Sequence, residues 1–204
     1  IGLYAFSGCS SLTNIEIPSG VTSIGDSTFD GCSSLANIEI PSTVTSIGGY
    51  AFRGCSGLTG KLEIPEGVTS IGYYAFYGCS SLTNIVIPST VTNISDTAFY
   101  NCSNLQITVD SNNPNYSSES GSLYNKAKTT LIRGAGGVST VTISSGVTSI
   151  KYRSFLGCSS LTSVTIPSTV TSIGWGVFED CSSLTTMRVE ATTPPTLQTT
   201  DAIS

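Results

Sequence analysis

Apolar residues recur along this chain in a fixed order, about every 23 positions. One repeated isoleucine returns at spacings of 23, 23, 24, 23, 56 and 23: Ile1, Ile24, Ile47, Ile71, Ile94, Ile150 and Ile173. Every phenylalanine lies five residues after one of these isoleucines: Phe6, Phe29, Phe52, Phe76, Phe99, Phe155 and Phe178. Every cysteine lies three residues after a phenylalanine: Cys9, Cys32, Cys55, Cys79, Cys102, Cys158 and Cys181. This regularity predicts a stack of equivalent structural layers.

The segment Leu12-Thr-Asn-Ile-Glu-Ile-Pro18 predicts one strand of each layer. Ile15 and Ile17 share one face of that strand, and Glu16 points to the opposite face. Pro18 ends the strand because it cannot donate to a hydrogen-bonded ladder. The following Val and Ile positions predict a second short extended piece on the opposite wall, and residues 5–9 predict a short helical turn closed by glycine.

A period of this length around Leu-x-x-Ile-x-Ile is typical of a leucine-rich-repeat solenoid. We expect a mainly β horseshoe or right-handed coil, with a parallel concave sheet of about eight strands and short helical turns or short strands on the convex side. The outward positions at the strand centres are Glu16, Glu39, Glu63, Val86, Thr108, Thr142, Thr165 and Arg188. Residues 1–204 are predicted to form a single solenoid. The chain opens inside the repeated phrase, so we expect it to be a fragment of a longer chain.

One layer departs from the period, because 34 residues separate Thr108 from Thr142. This variant layer, residues 110–140, lacks the phenylalanine and the cysteine. Residues 121–124 and 129–133 predict two short strands joined by a turn. We expect Tyr116, Leu123 and Leu131 to supply its core, and we predict no domain boundary there.

The repeated phrase Ile-Gly-x-x-Ala-Phe-x-Gly-Cys-Ser-Ser-Leu-Thr-x-Ile-x-Ile-Pro-x-x-Val-Thr-Ser resembles the BspA-type, or Treponema-type, leucine-rich repeat. The runs at 113–124 and 191–197 resemble variant segments of that family. The resemblance implies a secreted or surface-exposed bacterial protein that adheres to host or matrix proteins or to other cells. It supplies no catalytic motif and no ligand-binding residue that can be transferred by position.

The composition of the chain disfavours several classes of function. The formal net charge is −5, which disfavours binding to nucleic acid, and charged residues make up only 10% of the chain. No apolar run approaches 18 residues, so we expect no membrane insertion. There is no histidine, which removes the commonest general base and the usual catalytic triads. We therefore expect no enzyme activity, no catalytic residue and no cofactor.

The cysteine column has two interpretations. Stacked layers would hold adjacent thiols within disulfide range, but equivalent side chains on parallel layers point the same way. Paired Cys-x-x-Cys motifs are absent, so no zinc ligand set is recognisable. A ladder of buried, reduced thiols is the interpretation that we favour.

Outward positions are the candidate binding residues. Glu16, Glu39 and Glu63 form an acidic run that fits either a cation or basic-ligand site or a solvated acidic strip, and Arg188 stands at the far end of the same row. Around the variant layer, Lys126, Lys128, Arg133, Lys151 and Arg153 form a basic run without intervening acids, which indicates either a steering patch or a solvated rim.

Aromatic residues are concentrated near the phenylalanine turns. We expect Tyr73, Tyr77 and Tyr100 to lie close together and several tyrosines to be exposed, where they would stack on sugars, anchor a protein or shield the turns.

Two functions fit the features of this sequence. One is a binding or adhesion module for a host or matrix protein, a glycan or another cell-surface protein, and the other is a spacer that presents other domains.

Overall fold

The computed structural model describes residues 1–197, which form an all-β solenoid without a helix. The end of the predicted solenoid, 198–204, lies outside the described residues. In chain order the strands are β1 (Ser23–Ile24), β2 (Ser46–Ile47), β3 (Gly60–Glu63), β4 (Ser70–Ile71), β5 (Leu82–Ile87), β6 (Asn93–Ile94), β7 (Gln106–Val109), β8 (Tyr116–Glu119), β9 (Ser122–Asn125), β10 (Thr130–Arg133), β11 (Thr140–Thr142), β12 (Ser149–Ile150), β13 (Ser163–Ile166), β14 (Ser172–Ile173), β15 (Thr186–Val189) and β16 (Thr196–Leu197).

The two predicted walls are present. The second wall consists of parallel sheets in the orders β1-β2-β4-β6 and β10-β12-β14-β16, whose strands have two residues each except for the four-residue β10. Strands β9 and β8 extend the latter sheet. On the first wall, β3-β5-β7 and β11-β13-β15 are parallel sheets in which equivalent residues are paired, as in Val141↔Val164 and Val164↔Met187. The parallel leucine-rich-repeat solenoid is confirmed.

The predicted parallel sheet of about eight strands is interrupted. The first wall is divided into two three-stranded sheets, and the segments around Glu16 and Glu39 are not hydrogen-bonded strands. Two features of the sequence account for the open segments. Like charges stacked on adjacent layers repel, and the extra residue of the third repeat produces an irregular register between Gly60 and Lys61.

The third side consists of seven stacked turn segments, which we call the turn column: 2–9, 25–32, 48–55, 72–79, 95–102, 151–158 and 174–181. The predicted short helix is replaced by consecutive turns, in which the Cys9 amide donates to the Phe6 carbonyl. Other amides donate along the stack, as from Phe6 to Thr28, and so cannot continue a helix. Gly8 has a positive φ of 77°, as the closing glycine requires.

Phenylalanine and cysteine hold the turn column together from within. Adjacent phenylalanine rings stack at centroid distances of 5.2–5.7 Å within the layers from Phe6 to Phe99. Buried thiols also donate to the phenylalanine carbonyl of the preceding layer, as from Cys55 to Phe29 at 3.1 Å. The cysteines are therefore hydrogen-bond donors as well as small apolar residues, a role that their apolar neighbours in the sequence did not indicate.

The variant layer separates two hydrophobic cores and contributes side chains to both. Strand β9 pairs antiparallel with β8 on one side and with β10 on the other. This confirms the two predicted strands, β9 and β10, and adds β8. Leu123 and Ile132 pack into a core with the first five layers, whereas Tyr124 and Leu131 pack into the core of the last layers. Neighbouring residues on a strand point to opposite faces, so this hairpin supplies a wall to each core. Leu123 and Leu131 are fully buried and Tyr116 is half-buried.

On the turn side this layer contributes no turn at all. In regular layers, carbonyls equivalent to those of Tyr152, Ser154 and Leu156 accept amides from the preceding turn. Here the Tyr100 hydroxyl donates to Tyr152, and Nη1 of Arg133 donates to Ser154 and Leu156. The Gly134 amide also donates to Ser154, so the Arg133 side chain adds to this backbone donor and substitutes for the missing one at Leu156.

Candidate functional site

The outward row of the first wall is open to solvent along most of its length. Glu16, Glu39, Glu63 and Arg188 are exposed. Lys61 forms an ion pair with Glu63, so the acidic run is partly neutralised at its third layer. Arg188 pairs with Glu190 and lies several layers from the glutamates, so these predicted site residues do not form one site.

Open space lies between the unpaired segments of the first layers. A groove of about 810 Å³ is lined by residues 14–19 and 37–42, including Glu16 and Glu39. A neighbouring groove of about 720 Å³ reaches from Glu39 past Glu63 and Glu66 to Asp110. Both are wide, acidic surface grooves, in keeping with the open first wall.

The basic run does not form a positive patch. Arg133 is buried, with only 2% of its surface exposed. Lys128 pairs with Glu119, Lys151 with Asp96 and Arg153 with Glu179. The run looked unopposed because these carboxylates come from distant parts of the sequence or from the opposite strand of the hairpin. Of the two interpretations, the ion pairs favour the solvated rim over the steering patch.

Of the three predicted tyrosines, Tyr73 is exposed, Tyr77 is half-buried and Tyr100 is only 1% exposed. Tyr100 is therefore not available as a binding residue, because the turn that would follow it is missing and Tyr152 packs against it at a centroid distance of 6.0 Å. Burial raises the pKa of Tyr100 far above its ordinary value. Tyr100 is a structural residue.

Tyr74 connects the three, and sequence reasoning did not single it out. Its ring stacks on Tyr50 at 5.4 Å and meets Tyr73, Tyr77 and Tyr100 edge to face. The doubled tyrosine in the fourth turn segment was the available signal, since adjacent residues there project in different directions. We call the whole connected row the aromatic edge: Tyr50, Tyr73, Tyr74, Tyr77, Tyr100, Tyr152 and Trp175.

A cleft of about 410 Å³ opens beside the aromatic edge. It is lined by Tyr50, Arg53, Tyr74, Tyr77, Asn101, Arg153, Leu156, Glu179 and Asp180. These residues come from turn segments on both sides of the variant layer. Because that layer contributes no turn, the turns at 95–102 and 151–158 meet directly: a Cβ placed on Gly157 would lie 2.3 Å from Oδ1 of Asn101.

Both arginines of this cleft are held in place. Arg53 makes two hydrogen bonds of 2.7 Å to Asp30 and lies over the Tyr50 ring at 5.0 Å. Arg153 makes two bonds to Glu179 and lies over Trp175 at 4.2 Å. Bidentate pairing and cation–π contact fix the planes of the guanidinium groups, which gives the cleft walls a defined geometry.

The thiols do not form a reactive site. Cys9 is exposed, and the other six cysteines are buried and unbridged. Burial raises the pKa of Cys55 to about 12, and it raises the pKa of Cys181 to about 11. Arg133 acts in the opposite direction on the pKa of Cys102, which burial nevertheless raises to about 11. Such thiols are poor nucleophiles and metal ligands.

Among residues 1–197, no group of three or more Cys, Asp or Glu side chains is placed to hold a metal ion. Within the same range there is also no helix with the length and hydropathy needed to cross a membrane.

The family model for the BspA type leucine rich repeat region matches the chain in six copies, over residues 1–130 and 132–198. The chain belongs to this family. The variant layer falls within the matched residues except for Leu131, so its missing turn is a departure inside a BspA-type repeat array. No curated protein matches the chain significantly.

Solved structures agree with this BspA-type assignment. A leucine-rich repeat protein from Eubacterium ventriosum is 33% identical, with a TM-score of 0.60, over 86% of this chain and 59% of that one. One from Bacteroides ovatus is 27% identical, with a TM-score of 0.53, over 93% and 63%. The pneumococcal vaccine antigen PcpA shares the fold alone, at 19% identity and a TM-score of 0.56, over 82% and 56%. The chain thus spans about three fifths of the length of these structures.

Proposed function

We propose that this chain is a non-enzymatic binding module of a secreted or surface-exposed bacterial protein, and that it recognises a protein or a glycan. The observation that carries the proposal is that the layers differ at their exposed positions and not at their buried ones. Buried positions repeat the same residues from layer to layer, whereas the outward row changes from Glu39 through Val86 to Arg188. A rigid stack with variable exposed positions is suited to recognition, because outward changes leave the core intact.

The chemistry of the described residues also favours binding over catalysis. The chain has no histidine, and its buried thiols have raised pKa values. The carboxylates that line the grooves stand on an open surface, without the burial that tunes a general acid. Repeat solenoids of this family and fold are typically interaction modules, which supports the same proposal.

Placement at the cell surface rests on family membership. The bacterial relatives described above share its repeat, and one of the proteins with the same fold is a vaccine antigen. A polar surface rich in Ser, Thr and Asn, with few charges, fits an exported protein.

The alternative is a spacer that presents other domains. A spacer needs length and stiffness, and the stacked layers supply both. Under this alternative, substitutions on any face leave adhesion unchanged, whereas removal of whole layers weakens it.

The test is an array of host matrix proteins and glycans probed with the purified chain. Two sets of variants are compared: Glu16→Gln/Glu39→Gln/Glu63→Gln on the outward row and Tyr77→Ala on the aromatic edge. Loss of a bound partner in one set alone, with an unchanged melting temperature in both, supports the binding module and identifies the face. Silence across the array contradicts the binding module and favours the spacer.

A further inference from the structure

The geometry points to the cleft beside the aromatic edge as a binding site for a neutral saccharide. This inference rests on the proposed binding function and specifies one site and one ligand class for it. The site exists because the variant layer has no turn, which brings together residues of turn segments more than 100 positions apart, from Tyr50 to Asp180.

The cleft has the dimensions of a small-molecule site. Its volume of about 410 Å³ falls within the range of roughly 300–1,000 Å³ that is typical of such sites. Leu156 is nearly fully buried and supplies an apolar part of the lining, while Asn101 and Asp180 supply polar groups. Tyr50, Tyr74 and Tyr77 add ring surface, and the other lining residues besides Leu156 are polar or charged, so the cleft combines ring faces with hydrogen-bonding groups.

Ring surface is available to a sugar. Tyr77 lines the cleft, is half-buried and meets Tyr74 at 73°, so the two rings do not stack on each other. The C–H face of a pyranose is apolar and packs against an aromatic ring, while the hydroxyl groups around its rim need hydrogen-bond partners. Tyrosine serves both needs, because its ring is apolar and its hydroxyl is polar.

The polar groups of the lining suit hydroxyl recognition. Asn101, Arg153, Glu179 and Asp180 all have planar groups with two donors or acceptors, which match the paired hydroxyls on adjacent sugar carbons. Glu179 holds Arg153 through bonds of 2.9 and 3.2 Å, so these groups are positioned before a ligand arrives. Preorganised side chains lose little conformational entropy on binding.

Charge selects the neutral class. The lining contains two guanidinium groups and two carboxylates, and Arg53 and Arg153 are each bound to a carboxylate already. An anionic sugar or a phosphate would have to break these pairs to reach an arginine. A basic peptide would meet the same arginines as like charges. A neutral saccharide incurs neither cost.

The experiment titrates the intact chain with neutral hexasaccharides of glucose, mannose, galactose or xylose, and with sialylated and sulfated oligosaccharides for comparison. Trp175 is the only tryptophan of the chain and lies beneath Arg153, so its fluorescence reports on the cleft without any substitution. Tyr77→Ala is compared with Tyr73→Ala, a matched control on the same turn that is exposed and outside the lining.

We expect a neutral hexasaccharide to change Trp175 emission, and we expect Tyr77→Ala to weaken its binding by about tenfold or more while Tyr73→Ala does not. Tyr77→Phe retains the ring and should bind within a fewfold of the native chain. If Tyr77→Ala fails to fold, the Trp175 titration and Tyr77→Phe decide the matter.

Five results would overturn the inference. A saccharide that binds without changing Trp175 emission, or that binds Tyr77→Ala and Tyr73→Ala equally, places recognition elsewhere and leaves the proposed binding function standing. Preference for the sialylated or sulfated probes contradicts the neutral class. Binding to a matrix protein with no response to any saccharide removes the cleft site alone, whereas silence toward both also removes the proposed function.

Discussion

In the regular layers, the turn column is held together by backbone bonds and by a repeated pair of side chains. Each turn donates amides to the next, phenylalanine rings stack, and a thiol donates to the carbonyl of the preceding phenylalanine. The variant layer has neither the phenylalanine nor the cysteine, and its backbone donates to the next turn through the Gly134 amide, which bonds the Ser154 carbonyl. Arg133 and Tyr100 donate to the neighbouring carbonyls, and the backbone at Gly134 lies against the Phe155 ring, where even a Cβ would come within 2.0 Å.

The difference shows where a repeat protein can acquire a specific site. A regular layer repeats its surface as well as its core, so its outward side chains form rows. The variant layer interrupts the rows, divides the core in two and brings distant turns into contact. The cleft is a consequence of that interruption.

Thiol labelling is expected to show the largest contrast. A pKa raised from 9.0 to about 12 lowers the thiolate fraction of Cys55 at pH 8 by about a thousandfold, in addition to the steric effect of its burial. We therefore expect iodoacetamide to modify Cys9 in the native chain long before Cys55 or Cys158, as measured by peptide mass spectrometry. As denaturant is added, Cys55 and Cys158 become reactive together if the two cores unfold as one unit. If Cys55 and Cys158 become reactive at different denaturant concentrations, the solenoid unfolds as two cooperative units that meet at the variant layer.

Arg133→Met tests the substitute donors. It leaves the Leu156 carbonyl without its donor and takes one of two donors from the Cys102 carbonyl, which should lower the free energy of unfolding by about 1–3 kcal/mol. Urea denaturation measures the loss. Arg153→Met is the control, since its ion pair is partly exposed and should contribute about 1 kcal/mol or less. Equal effects of the two substitutions would contradict the role of Arg133.

Tyr100→Phe removes only the hydroxyl that donates to Tyr152. We expect a loss of about 1 kcal/mol in the free energy of unfolding, because one partly buried carbonyl loses its donor. Tyr77→Phe provides the comparison on a regular turn, with little change expected. A Tyr100→Phe chain as stable as the native one would mean that the missing turn needs no replacement at this position.

Glu39→Gln should have the smallest effect. It removes the middle charge of the stacked glutamates and should stabilise the chain by about 0.5 kcal/mol or less, with a smaller gain at high salt. Thermal denaturation at low and high ionic strength measures this. A loss of stability would mean that charge repulsion does not account for the open first wall.

Sequence reasoning predicted the regular layers well, because the same pattern of residues recurs in each of them. The spacing of phenylalanine and cysteine located the turn column, and the alternation around Glu63, Val86 and Thr165 located strands that the structure contains. The extra residue of the third repeat appears as the irregular register at Gly60 and Lys61. For the candidate site, sequence placed Tyr77 near other aromatic residues but gave no sign of the cleft.

The sequence by itself determined the repeat, the composition of each layer and the position of the variant layer, because these depend on local pattern and on periodic burial. Tertiary structure alone decided that Arg133 is buried, that Tyr100 is covered by Tyr152, and that Asp180 lines the same cleft as Tyr50. Each of these depends on the layers that meet where one turn is missing. A contact across that gap joins segments with no periodic relation, and so no spacing in the chain encodes it.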